Sequence, residues 1–178
     1  MWNRMHIEIE IDCGPCRLRA LQAADVPTIA RHANNPRVAA HLRDRFPHPY
    51  SEADGHRFLE YLNKTREECV AGIVVHDEVA GALGVQFRTD VERCSAELGF
   101  WLGESFWGRG IATAAVRSFT QWAIPRFELT RVYAEVFAEN RASEMVLKKA
   151  GFVSVGLLRK AAIKNGVYHD YRLYDLVR

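Results

Sequence analysis

The residues most able to do chemistry lie in ELGFWLGESFWGRGIATAAV, from Glu97 to Val116, which joins a strand-like run to a helix-like one. The joint is Trp107-Gly108-Arg109-Gly110-Ile111-Ala112-Thr113. Small residues there let main-chain N–H groups approach an anion closely, and a helix start carries about half a positive charge. Arg109 adds a full one. A pyrophosphate is the natural guest, and a tight strand-to-helix turn is the plain alternative; spacing alone does not choose between them. Gly103-x-x-x-x-Gly108 imitates a nucleotide-binding P-loop, but Arg109-Gly110 stand where Lys and Ser or Thr would hold phosphate and magnesium. A dinucleotide-binding loop would follow the first strand of a βαβ unit, and this one comes late in the chain.

A second stretch invites redox chemistry. Cys13-Gly14-Pro15-Cys16 has the C-x-x-C spelling of a dithiol enzyme, whose first thiol is activated by a helix that starts there. Here Cys16-Arg17-Leu18-Arg19-Ala20 alternates with period two, as a strand does, and His6 to Asp12 alternates before it with Ile7, Ile9 and Ile11 on one face. Gly-Pro between two strands is turn chemistry, so a hairpin is expected, with both cysteines in its turn. Cys69 and Cys94 have no C-x-x-C partner to complete a zinc site, and no metal is expected.

These stretches must be positioned by a set of strands and helices. Asp25 is expected to cap a short helical run from Val26 to His32, stopped by Asn34-Asn35-Pro36, and Ser51 with Asp54 opens a second helix as a capping box. Strands are expected in CVAGIVVHD and VAGALGVQFRTD, turning at His76-Asp77-Glu78, and then from Ser95 to Gly103. A helix from about Arg109 to Ile124 follows, with Pro125 as its stop. Next come the strand Arg131–Phe137, a helix capped by Asn140 and ended at Gly151, and a closing pair of strands turning at Lys164-Asn165-Gly166-Val167. This order implies an α+β fold: a mixed sheet with helices on both faces.

The chain has 178 residues, 48% hydrophobic and 26% charged, which suits one soluble domain over 1–178. A formal charge of +2 gives no electrostatic case for nucleic acid. No apolar run approaches the ~18–20 residues that span a bilayer, and the first residues lack the apolar stretch of a signal peptide. A cytoplasmic enzyme or binding protein is the expectation, with no membrane partner. The oligomer is not fixed by the sequence, and a homodimer stays open.

Trp107 to Ala112 resembles the acyl-CoA loop of the GNAT superfamily of N-acetyltransferases, with Gly110 and Ala112 at its small positions and Trp107 where Gln or Arg is usual. VYAEVFAENRASEMVLKKAGFVSVG, from Val132 to Gly156, is similar to the second motif of that superfamily, and NGVYHDYRLYDLV to the closing hairpin of its RimJ/RimL type, which acetylates ribosomal-protein N-termini. RLRALQAADVPTIARHANNP fits the opening of that branch.

The resemblance implies a mostly antiparallel mixed sheet and direct transfer of acetyl from acetyl-CoA to a primary amine, without metal or covalent enzyme intermediate. It implies that the strand carrying Phe100, Trp101 and Leu102 splays from its neighbour and that its free main-chain N–H groups hold the pantetheine arm, with the Phe100 N–H facing the thioester oxygen. It places the pyrophosphate on amides from Gly108 to Thr113 and a further pantetheine contact on Asn140, otherwise a plain helix N-cap. Ser143 takes the place of the hydroxyl that protonates the leaving thiolate, otherwise a serine of a first helical turn. Glu97 is the expected base, otherwise a strand carboxylate. The glutamate that some relatives carry before the last turn is replaced here by Ala161-Ala162; His169 and Asp170 are other polar groups near it, and Asp170 could equally orient backbone or pair with Arg172.

Acceptor chemistry follows from proton affinity. At pH 7 an α-amine of pKa ~7.7–8.0 is roughly a tenth unprotonated, against about one part in 2,500 for lysine. A modest base therefore favours a protein N-terminal α-amine; a polyamine or aminoglycoside amine, and a non-catalytic acyl-CoA sensor, are the alternatives. A cleft for a cationic amine needs carboxylates, and Glu52, Asp54, Glu60, Glu67 and Glu68 are candidates.

Overall fold

In the computed structural model, which describes residues 8–178, the C-G-P-C stretch is the turn of a hairpin. Strands β1 (Glu10–Asp12) and β2 (Arg17–Arg19) flank it, and the Cys13 N–H donates to the Cys16 carbonyl at 2.9 Å. Gly14 takes φ +82°, a conformation that suits a residue without Cβ. No helix follows Cys16, so the helix-dipole activation of a dithiol enzyme is absent from this turn. The neighbouring thiols still perturb one another: the bond from Cys16 pulls the Cys13 thiol down to about 7 and drives Cys16 upward. The strand is shorter than the Ile7–Ile11 alternation suggests, and His6 and Ile7 lie outside the described residues.

The chain continues through α1 (Val26–Ala33), α2 (Pro36–Ala39), α3 (Glu52–Lys64), β3 (Glu68–Val75), β4 (Glu78–Phe87), β5 (Ser95–Leu102), α4 (Ile111–Arg126), β6 (Arg131–Phe137), α5 (Arg141–Ala150), β7 (Val153–Lys164) and β8 (Val167–Val177). One sheet takes all eight strands in the order β1-β2-β3-β4-β5-β6-β8-β7. Every neighbouring pair is antiparallel except β5 and β6. The tight turns sit where the residues permit left-handed backbone, at His76-Asp77 and Asn165-Gly166.

Helices cover both faces, and the alternation along β3 shows how. Ala71, Ile73 and Val75 join the core beneath α4 and α5 with Phe119 and Leu147. Val74 points the other way and meets Ile29, Ala30 and Ala33 of α1. Both layers are held by aliphatic burial, worth about 1.5–3 kcal/mol for each large side chain withdrawn from water.

Three local expectations are corrected. Asp25 precedes α1, yet its carboxylate does not cap it; it accepts the Gln22 N–H and a two-pronged pair from Arg19 at 2.7 and 2.8 Å. Pro36 opens α2 rather than only ending α1, because Asn35 accepts the Arg37 N–H and Pro suits a first helical turn. Helix α4 begins at Ile111, since Gly110 is left-handed at φ +77°, and runs one residue past Pro125 before Phe127 closes it on the Ala123 carbonyl. Asn140 and Gly151 cap α5 as expected, with Phe152 N–H returning to the Leu147 carbonyl.

Candidate active site

The one parallel junction of the described strands is also where the sheet opens. Strands β5 and β6 pair only over Ser95–Glu97 and Arg131–Tyr133. Beyond Glu97, β5 follows β4 to Leu102 while β6 follows β8 to Phe137. Residues 98–102 and 134–137 thus face one another across a wedge without a strand ladder between them. Unpaired main-chain groups there must find water or a ligand.

At the wide end of the wedge lies the glycine loop. Gly108 and Gly110 have φ of +74° and +77°, and a Cβ built on either would meet nothing within 4 Å, so the loop bends around open space. Its first residue is fixed by the Trp107 indole N–H, which donates to the Leu102 carbonyl at 2.7 Å, and the Arg37 guanidinium stacks over that ring. The N-terminus of the sixteen-residue α4 opens onto this space and offers its unpaired N–H groups to an anion.

Wedge and loop belong to one cleft of ≈ 1210 Å³, above the ~300–1,000 Å³ of a drug-sized site. Phe100, Trp101, Leu102, Trp107, Gly108, Gly110, Ile111, Ala112, Thr113, Asn140, Ser143 and Glu97 all line it, so residues up to 46 positions apart are brought together as expected. Arg109 is the exception. Its guanidinium lies over the Phe106 ring at 5.9 Å, and it is not part of the cleft wall.

Ser143 and Asn140 sit at the start of α5 on the β6 side. The Asn140 side-chain amide oxygen accepts the Ser143 main-chain N–H at 3.1 Å, which fixes the Asn140 side chain relative to the helix end. Glu144 beside them is 2% exposed and forms ion pairs with Arg141 at 3.0 Å and with Arg172 of β8 at 2.7 Å. That buried pairing locks the first turn of α5 onto the sheet.

The crotch of the wedge gathers two carboxylates and two guanidinium groups. Glu97 is 9% exposed, and guanidinium groups hold both its oxygens: Arg43 on one, Arg88 at 2.9 Å on the other. Arg88 is braced in turn by the Tyr133 hydroxyl. Two residues along β6 from Tyr133 is Glu135, half-buried, with Arg43 at 3.5 Å. Burial, and then the negative charge of Glu97, raise the Glu135 carboxyl above the usual range, while Arg43 and Arg88 partly offset this. Both Glu97 oxygens are thus taken by guanidinium groups, and Glu135 is the carboxylate whose proton affinity is raised.

Arg43, Arg88 and Glu135 escaped the sequence reading. Glu135 had a usable signal, because the alternation of RVYAEVF puts it on the face of Tyr133. The other polar candidates divide. Asp54 and Glu68 line the cleft, whereas Glu52, Glu60 and Glu67 do not. His169 contacts Glu139 at 2.6 Å, and Asp170 accepts the Lys160 N–H at 2.7 Å rather than pairing with Arg172; neither reaches the cleft.

Comparison with known proteins bears on this geometry. Residues 16–153 match the family model described as an acetyltransferase (GNAT) domain. YdaF of Bacillus subtilis is 32% identical over 108 residues, 61% of this chain and 58% of that protein, so the match spans less than two thirds of that relative. The ribosomal-protein-serine acetyltransferase of Escherichia coli is 31% identical over 131 residues, 66% of this chain and 73% of that protein. The structure of RimL, a ribosomal L7/L12 α-N-protein acetyltransferase, in complex with coenzyme A superposes with a TM-score of 0.83 at 23% identity, covering 94% of this chain and 97% of that one. Since the matched family model takes in both the split strands and the glycine loop, the chain belongs to the GNAT acetyltransferases.

Proposed function

We propose that this chain transfers acetyl from acetyl-CoA to a primary amine, with a protein N-terminal α-amine as acceptor. The observation that carries the reading is the continuity of one cleft: an anion-binding helix start at one end, unpaired strand edges along it, and two carboxylates at the crotch. The open cradle above Gly108 and Gly110 fits a diphosphate, because any side chain there would both strain the backbone and fill the space. RimL, of the same fold, binds coenzyme A, and a relative is named for acting on ribosomal protein.

In this reading amides from Gly108 to Thr113 hold the diphosphate, and Phe100 to Leu102 with Asn140 hold the pantetheine arm. Acetyl-CoA supplies the acyl group already activated as a thioester. The chain's own residues then manage protons and charge. Glu97, paired with Arg43 and Arg88, is the charge that raises the proton affinity of Glu135 beside it. Glu135 takes the ammonium proton, its raised proton affinity bringing it closer to that of the amine. The Phe100 N–H donates to the acyl oxygen as charge builds there, and the Ser143 hydroxyl donates to the departing sulfur while regaining a proton from the nitrogen, which sheds its second proton as the amide forms.

A thiol-release assay with acetyl-CoA against N-terminal peptides, polyamines and aminoglycosides tests this. The expected result is release that depends on peptides with a free α-amine and disappears when that amine is blocked. Release only with polyamines or aminoglycosides would reassign the acceptor, and none with any amine would leave an acyl-CoA-binding protein without catalysis.

A further inference from the structure

Arg43 occupies an unusual place for a side chain from a connecting segment. Its guanidinium lies between the carboxylates of Glu97 and Glu135, the only two acids at the crotch of the wedge among the described residues, and contacts both. The segment that carries it is fastened on either side: Lys164, at the tip of the last hairpin, donates to the Leu42 carbonyl at 2.7 Å and pairs with Asp44 at 3.1 Å. Arg88, by contrast, follows the last residue of β4, is held by Tyr133 and lies behind Glu97 rather than in the cleft wall. The Arg43 side chain is 44% exposed while its partner Glu97 is 10% exposed. It is thus a cation reaching in from the solvent side of a buried anion, on a backbone that need not move for the side chain to leave.

Resting on the acetyl-transfer reading, we propose that the position of the Arg43 guanidinium is the amine subsite, and that Arg43 is a displaceable internal cation which the acceptor's ammonium replaces. Two carboxylates this close disfavour a state without a cation between them. A guanidinium fills that need when no acceptor is present, and an arriving ammonium competes for the same oxygens. The device selects for acceptors that enter as cations, since a neutral amine has nothing to exchange for the guanidinium. Once the ammonium has displaced Arg43, loss of its proton to Glu135 leaves a neutral amine at the acyl carbon and a protonated acid beside Glu97. After transfer the amide product carries no charge and Glu135 passes its proton to solvent, so the returning guanidinium expels the product.

The groups facing Glu135 set the pH consequence. Glu97 from β5 raises its proton affinity; Arg43 and Arg88 lower it; the Tyr171 ring from β8 and Tyr133 from β6 complete the surroundings. Removing Arg43 takes away one of the two lowering charges, so the acidic limb of kcat/KM must move to higher pH.

The test is steady-state thiol release with Arg43→Ala and Arg43→Gln, using any acceptor that the wild-type chain turns over, alongside circular dichroism and coenzyme A binding to confirm folding. The expected KM for the amine falls by about fivefold, the scale of a half-exposed ion pair that no longer competes, while coenzyme A affinity stays unchanged. Guanidinium chloride at millimolar concentration should inhibit Arg43→Ala competitively against the amine and leave the wild type unaffected. A KM that rises or stays constant, or guanidinium inhibition that is not competitive with the amine, overturns the proposal and leaves Arg43 as a structural strap. Should the wild type release no thiol with any amine, it is the acetyl-transfer reading that fails. If Arg43→Ala does not fold, Arg43→Gln carries the same comparison.

Discussion

In the proposed mechanism Glu135 on β6 and Ser143 at the start of α5 divide the proton work, and their variants should fail in different ways. Glu135→Gln removes the proton acceptor, so kcat/KM should drop by about 10²–10⁴-fold. In the wild type the rate should rise with pH through the Glu135 titration, because only the ionised form can accept a proton. Burial and the charge of Glu97 place that rise above the ordinary carboxylate range, and it should vanish in the variant. A pH profile with its acidic limb unmoved in Glu135→Gln would reject the assignment. Ser143→Ala should lower kcat while coenzyme A affinity holds, since its backbone N–H still meets Asn140; an unchanged kcat would end its role. Glu135 was missed although the strand alternation that puts it on the face of Tyr133 was there to be used. Arg43 had no such signal, because 54 positions separate it from Glu97 and no local pattern encodes a contact made by an irregular segment.

Among the elements, the strap between β2 and α1 has the clearest energetic consequence. Arg19 and Asp25 form a two-pronged pair with side chains 18% and 10% exposed. Burial alone would raise the Asp25 carboxyl, but bonds from Arg19 and from the Gln22 N–H outweigh it and hold it below its usual value. A depressed carboxyl stabilises the fold fully above the unfolded pKa of ~3.9 and loses that contribution as pH falls through the folded value. Asp25→Ala should therefore cost about 3 kcal/mol at neutral pH, the scale of a broken buried pair. The gap from wild type should shrink in acid, as read by urea denaturation at both pH values; a gap independent of pH would refute the account. The sequence offered Asp25 as a helix cap, which its position allows, and only the approach of β2 shows that a guanidinium claims it. Likewise the start of α4 was read two residues early, since helical spacing does not reveal that Gly110 is left-handed.

At the scale of the whole molecule the order of strands and helices was readable, because alternation and helical spacing are strong over β3 to α5 and glycine or asparagine marks most turns. What the order alone does not disclose is the wedge. It arises because β5 and β6, 36 positions apart in sequence where they meet, pair for three residues and are then drawn to opposite neighbours. The resemblance to the GNAT superfamily anticipated that split, and the anion cradle was visible from glycine spacing only as one of two readings. No described helix is long and apolar enough to cross a membrane. The account stands on the helix start and glycine bend gripping the diphosphate of coenzyme A. Calorimetric titration of the wild-type chain with coenzyme A, beside pantetheine that lacks the diphosphate, addresses it most directly. One-to-one binding of coenzyme A is predicted, with pantetheine weaker by about tenfold or more, as the loss of charge-assisted bonds requires. Equal affinity for the two, or no heat with either, would contradict it.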